Sequence, residues 1–311
     1  MLPLKKYKKR KDDCLDYNTF KEKLRELVEE ALGPEYVVFL REVPQNNGIS
    51  QDMLMIWRSG ETAVPAIGMK GYYASFLRGA SLEGLADKVT AVYEDHLQST
   101  VMGEEGFSRY DNVAPFICAR LINYERNRKL LEQIPHRKIL DLAMIYYFRV
   151  EGFSGHIASS LINNAHMEWW KVTEEELFKR AKENTCRLLP PHIVGMRQLI
   201  RGIAGRDIFP ADEEETETMY VLTNKEKYFG SVCFLYPRAL EQISSFFKSS
   251  FFILPSSIHE SIIVPDSGRF NPEDLRVIVQ DVNRRAVAEE EILSDQIYYY
   301  DREEENLKIE M

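Results

Sequence analysis

Long apolar runs are missing from this chain of 311 residues. No stretch approaches the ~18 consecutive apolar residues that a membrane-spanning helix needs. The start is basic (Lys5, Lys6, Lys8, Lys9, Arg10 and Lys11), yet no apolar segment follows it as a secretory signal requires. Cysteine is scarce: Cys14, Cys118, Cys186 and Cys233 stand far apart, with no CxxC pair and no metal-ligand spacing. That distribution excludes a disulfide framework and fits free thiols in a reducing compartment. We therefore expect a cytoplasmic protein with no membrane span.

Positive charge is also in deficit. The net charge is -9, which argues against nucleic acid as a partner, because phosphate binding needs a net basic face. Phosphate loops are absent, since Gly202 to Gly205 is too short and lacks the Lys-Ser/Thr pair. No GxSxG elbow occurs. None of the histidines stands three or four residues from another histidine or a cysteine. No cofactor and no metal are therefore expected, and only residues converging in space could bind one. The apolar fraction of 44% and charged fraction of 29% fit a folded globular protein.

What is present reads as alternating helices and strands. Phe20, Leu24, Leu27, Val28 and Ala31 recur at helical steps until Gly33-Pro34 stops them. Strands follow at Tyr36–Val43, Met53–Trp57 and Ala63–Met69, with Asn46-Asn47-Gly48 as the turn. Helices follow at Tyr72–Phe76 and at Leu82–Leu97, the latter capped by Ser81. Phe116–Asn123 is a strand, and Glu125–Gln133 is helical. Leu142–Phe148 fits a strand or a buried helix, a short apolar run being ambiguous. His156–Asn163 is placed to pair back, and Asn164–Trp170 is a short helix. Thr173 and Glu176 form a capping box. Ile193–Ile203 reads as a peripheral helix.

Beyond the acidic run Asp212 to Glu217, Met219–Asn224 and Ser231–Tyr236 read as a hairpin. Pro237 then opens a helix at its first turn, with Leu240, Ile243, Phe246 and Phe247 as its stripe. Strands Phe251–Leu254 and Ser261–Val264 follow. A helix capped by Asn271 comes next, and Ile297–Tyr300 is the final strand. The expected fold class is α+β, with two domains that are each a mostly antiparallel sheet with helices packed on it. Residues 1–16 are expected as a disordered basic tail and 17–210 as the first domain, with 17–110 and 111–210 as alternative subdomains. An acidic linker at 211–218, a C-terminal sandwich with helices over one face at 219–302 and an acidic tail at 303–311 complete the plan.

Several segments resemble a known family. They are YVLTN (Tyr220 to Asn224), the Leu235-Tyr236-Pro237 helix start, FFILPSSIHESIIVP (Phe251 to Pro265) and LSDQIYYYDRE (Leu293 to Glu303). Cys118 to Val150 and Val172 to Pro191 resemble it too. The chain, from about Tyr17 to Arg302, looks like a member of the bacterial domain-of-unknown-function family 5688. The resemblance implies a soluble protein of gut-type anaerobic bacteria. It brings no assigned activity, cofactor or catalytic residue.

The one concentrated polar cluster in an apolar setting is Ser256, Ser257, His259 and Glu260. A zinc protease would need HExxH on a helix, but Ile263 stands where the second histidine belongs and the segment is strand-like. On an unbroken strand Glu260 shares a face with Ile258, Ile262 and Val264. A carboxylate there must be hydrogen-bonded or carry a raised pKa. One reading has Glu260 accepting from backbone N–H groups of the Ser256-Ser257 turn, so that Glu260→Gln loses stability. Another makes it a proton-transfer group in a cleft, and a third leaves it at the strand edge. The reading preferred is a non-enzymatic binding protein with a protein partner. The alternative is a hydrolase or metal-assisted enzyme around His259 and Glu260. Composition specifies no oligomeric state.

Overall fold

The computed structural model describes residues 15–59, 64, 66–97, 108–151, 157–204 and 218–310. The basic tail up to residue 14, the glycine-rich stretch 101–107, the turn at 152–155 and the acidic run 212–217 lie outside these residues. The chain divides into two compact units. One holds residues 1–45, 50–107 and 150–158, the other 46–49, 108–149 and 159–311.

In the first unit, Asp16 caps helix α1 (Tyr17–Leu32) by accepting from the Thr19 N–H at 2.9 Å. Gly33 ends the helix at φ 98, a conformation open to glycine. Strands β1 (Tyr36–Pro44), β2 (Ser50–Arg58) and β3 (Ala66–Gly68) form an antiparallel sheet in that order. Helices α2 (Met69–Leu77) and α3 (Leu82–Leu97) follow. Strand alternation sends Val38, Leu54 and Ile56 to one face, where they pack on Phe20, Leu24 and Val28 of α1 and on Leu85, Val89 and Tyr93 of α3. The Ser81 cap is present, its hydroxyl accepting from the Gly84 N–H. Val37, Phe39 and Trp57 lie on the opposite, open face.

The second unit begins with the turn residues 46–49, where Asn47 at φ 59 and Gly48 at φ 72 take the expected left-handed backbone. Asn47 exchanges hydrogen bonds with Asn127 and donates to the Glu289 and Ile292 carbonyls. Helix α4 (Tyr110–Val113) leads into β4 (Ile117–Asn123), and then come α5 (Arg128–Leu131), β5 (His136–Ile139), β6 (Leu142–Glu151) and β7 (Ile157–Leu161). These strands form a sheet of order β4-β6-β5, with β7 also on β6. Leu142–Phe148 is thus strand. The expected helix at 125–133 shrinks to one turn, and β5 at His136 was not foreseen.

Helices α6 (Asn164–Trp170) and α7 (Glu174–Leu188) follow, α7 opening on the expected capping box of Thr173 and Glu176. Helix α7 packs on β4, where Thr185 accepts from the Ala119 N–H and Asn184 donates to the Ala114 and Ile117 carbonyls.

After α7 come β8 (Pro191–Gly195), α8 (Met196–Ala204) and β9 (Tyr220–Asn224). Then follow α9 (Ala239–Phe247), β10 (Phe251–Leu254), β11 (Ser261–Pro265), α10 (Pro272–Arg285), β12 (Tyr298–Asp301) and β13 (Asn306–Ile309). The six strands make one antiparallel sheet of order β13-β12-β10-β11-β9-β8. Four expectations change here. Ile193 belongs to β8, not to a helix. Strand β8 pairs with β9, so the supposed interdomain linker lies in sequence between two strands of one sheet, after α8. The supposed tail holds β13, which closes the sheet edge on β12. The sheet is covered on both faces: Phe252 and Leu254 meet Leu275 and Val279 of α10, while Phe251 meets the Phe247 ring of α9 edge-on and lies tilted against Tyr300.

The expected hairpin partner of β9 is instead a 3-10 helix, Gly230–Leu235. Its residues Gly230 to Phe234 are buried without the alternation a half-exposed strand would show. Pro237 precedes the helix cap, Arg238, so it is not in the first turn of α9. Phe246, expected in the apolar stripe, is exposed. The 3-10 helix sits hard against β9. A methyl at Gly230 would lie 2.2 Å from Thr223 Oγ1, 2.5 Å from the His259 carbonyl and 2.7 Å from the Asn224 nitrogen. Two of these are backbone atoms that cannot step aside. Gly230→Ala should therefore cost about 3 kcal/mol or more. Urea denaturation reads this directly, and a loss under ~0.5 kcal/mol would contradict the close approach.

Candidate functional site

The segment from Pro255 to Glu260 leaves β10 and enters β11. Its backbone is held on both sides. The Pro255 carbonyl accepts from Ser294 N–H at 3.1 Å and the Ser256 carbonyl from Leu293 N–H at 3.0 Å. Ile258 N–H donates to the Glu291 carbonyl at 2.9 Å. From the other side, the Ser231 hydroxyl donates to the Ser257 carbonyl at 2.7 Å and the Thr223 hydroxyl to the His259 carbonyl at 2.8 Å. Every polar backbone atom named here is satisfied by a neighbouring segment, as burial demands.

Of the expected cluster, Ser257 and His259 do meet: the His259 N–H donates to Ser257 Oγ at 3.0 Å. This contact is with the histidine backbone, not its ring, so it shapes the turn and activates nothing. Ser256 is buried, and no hydrogen bond to its hydroxyl occurs among the described residues. The His259 ring is committed elsewhere. Nδ1 accepts from the Phe229 N–H at 3.3 Å, which leaves the proton of the neutral ring on Nε2. Nε2 faces Glu291 Oε1 at 3.5 Å. The ring stacks on Phe229 at 5.7 Å and 8°, with Tyr228 at 5.8 Å. Neither ring nitrogen therefore touches a serine, as a Ser-His nucleophile would require.

Glu260 departs from its expected setting. Strand β11 starts at Ser261, so no unbroken strand runs from Ile258. No hydrogen bond to the Glu260 carboxylate occurs among the described residues, and the Ser256-Ser257 turn is held by other groups. Burial pushes the carboxyl pKa above its ordinary value; His259 opposes the rise, Glu291 adds to it and Lys227 opposes it. The residues that sequence reading missed are Phe229, Glu291, Ser231 and Thr223. They come from segments distant along the chain and carry no local motif. The acidic triplet Glu289, Glu290 and Glu291 was the one available signal.

Two thiols are nucleophiles by type, but burial pushes Cys118 up to about 11 and Cys233 up to about 12. Both stay as inert thiols near neutrality. Among the described residues no group of three or more His, Cys, Asp or Glu side chains is arranged to hold a metal ion. No helix of the described residues is long and apolar enough to cross a membrane.

The sign of the Glu260 shift reverses the stability expectation. A carboxyl with a raised folded-state pKa binds its proton more tightly when folded. Its stabilising effect is complete below the unfolded value of 4.5 and is lost as pH rises through the folded value. Glu260→Gln should therefore be at least as stable as the parent at pH 7 to 8, with the advantage vanishing below about pH 4.5. Thermal melts across that range decide it, and a variant less stable at pH 7 would restore a hydrogen-bonding role for the carboxylate.

Comparison with known proteins adds one positive finding. No curated protein and no solved structure matches the chain. A family model, described as a family of unknown function (DUF5688), matches residues 17–302. The resemblance of Tyr220–Asn224, Phe251–Pro265 and Leu293–Glu303 thus extends over nearly all of both units, and the chain belongs to the DUF5688 family.

Proposed function

We propose that this chain is a non-enzymatic, cytoplasmic binding protein whose partner is another protein. The observation that carries the reading is the open face of the β1-β2-β3 sheet. Val37 and Trp57 are cross-strand neighbours, and Phe39 lies one step along on the same side. They are 46%, 37% and 38% exposed. Such apolar surface is costly in water and aromatic anchors of this type dominate protein interfaces. The free Cys118, Cys186 and Cys233 agree with a reducing compartment. The polar turn at Ser256, Ser257 and His259 supports the reading by contrast, since its groups are consumed in holding neighbouring segments together.

A second reading keeps a hydrolytic or metal-assisted reaction at His259 and Glu260. It is favoured by Glu291, which lies 3.5 Å from His259 Nε2 and shares the field of Glu260. A turnover of any ester, amide or phosphoester substrate that is lost in both His259→Gln and Glu291→Gln would replace the binding reading.

The test uses the full chain as bait. A Phe39→Ser, Trp57→Ser variant alters exposed positions, so it should fold and melt close to the parent. A protein partner captured by the parent should fall by about tenfold or more in the variant, as loss of an aromatic anchor predicts. Equal capture by both chains would remove the sheet face as the docking surface.

A further inference from the structure

A second feature lies on β4 and β6 and has no part in the polar turn. The register pairs Cys118 with Tyr147, Arg120 with Ile145 and Ile122 with Ala143. Paired residues share a face, so Arg120 and Tyr147 project to the side on which Ile122, Ala143 and Ile145 pack with Leu131 and Ile134. An arginine on a core-lining face demands a counter-charge. Arg149, two residues beyond Tyr147 on the same face, has one: it holds Glu226 with two contacts of 3.0 Å. Arg120 has none. No carboxylate and no hydrogen-bond acceptor pairs with it among the described residues, and its Nε is enclosed with no partner.

The Tyr147 hydroxyl is in the same condition. The residue is 2% exposed and its oxygen has no hydrogen-bond partner among the described residues. The ionisable groups that act on Arg120 are the hydroxyls of Tyr228 and Tyr147. Tyr228 is the exposed one of the two, at 39%. Burial pulls the guanidinium pKa down, but arginine remains charged. What partly supports the cation is an aromatic face: the guanidinium carbon stands 4.3 Å from the Phe229 ring and 5.9 Å from that of Tyr147. Phe229 is held there with φ at 54, and Lys227 with φ at 55. Left-handed backbone at a bulky residue is unfavourable and persists where surrounding structure enforces it.

A half-buried cation without an anion, held on an enforced aromatic platform, is suited to a ligand of opposite charge. We propose that Arg120, set on the Phe229 ring beside Tyr228, forms a binding site for a small oxyanion, a carboxylate or phosphate group. The two terminal nitrogens of the guanidinium supply the paired donors that such a group accepts. Arg120 is only partly buried, and its Nε is enclosed while its terminal nitrogens are not, so the end of the fork is reachable from solvent. The site differs from the protein-binding face in unit, residues and ligand, and it stands without that reading.

The test is thermal melting and calorimetric titration of the full chain with sodium benzoate, sodium phosphate and, as reference, sodium chloride at equal ionic strength. The parent should give a saturable rise in Tm with benzoate or with phosphate and none with chloride. The benzoate and phosphate arms distinguish a carboxylate from a phosphate ligand. Arg120→Gln should abolish saturation. Arg120→Lys keeps the charge but loses the paired donors, so it should bind about tenfold more weakly. If Arg120→Gln does not fold, Arg120→Lys decides alone. No saturation by the parent with either anion, saturation retained in Arg120→Gln, or unchanged affinity in Arg120→Lys would each overturn the proposal.

Discussion

Three chain segments meet where glycine alone fits. Gly230 brings the 3-10 helix against Thr223 and Asn224 of β9 and against the His259 carbonyl, closer than any side chain would permit. From that approach follow the Ser231 hydroxyl on the Ser257 carbonyl, the Phe229 N–H on the His259 ring and the Thr223 hydroxyl on the His259 carbonyl. It also fixes Phe229, whose ring carries His259 and approaches Arg120. Both the polar turn and the unpaired arginine depend on this single steric allowance. A larger residue would lose them together.

The same constraint separates two kinds of polar group. Ser231, Thr223 and Ser257 are spent on backbone atoms, and each such bond prevents the cost of burying an unsatisfied carbonyl or amide. Arg120 and Tyr147 are not spent. In a well-packed interior an unsatisfied group is the exception that asks for a ligand, whereas a satisfied one asks for nothing. By that criterion the conspicuous His259-Glu260 pair is architecture. The inconspicuous Arg120 is the better place to look for binding.

Local chemistry was legible in the sequence. The capping box at Thr173, the Asn271 cap and the Asn46-Asn47-Gly48 turn each depend on residues within four positions, and each stands where expected. Long-range pairing was not legible. Strand β8 needs β9 from beyond residues 205–217, and β13 needs β12 to lie down its edge; neither segment carries enough apolar alternation to announce itself. The 3-10 helix at 230–235 was read as strand because a short buried apolar run suits either geometry. The site divided likewise. Ser257 and His259 were visible as a polar break in apolar sequence. Phe229, distant along the chain, was invisible, Glu291 was marked only by its acidic triplet, and nothing local singled out Arg120 within its strand. Pairing of β4 with β6 is what turns its face inward.

The claim that the Pro255–Glu260 turn is architecture has a direct measure in native-state hydrogen exchange. The Ile258 amide bonds to the Glu291 carbonyl, the Leu293 amide to the Ser256 carbonyl and the Ser294 amide to the Pro255 carbonyl. If the turn belongs to the core, these amides exchange only with global unfolding, and their opening free energies fall with denaturant along the global slope. Exchange through low-energy local openings insensitive to denaturant would describe a working, mobile site and contradict the account.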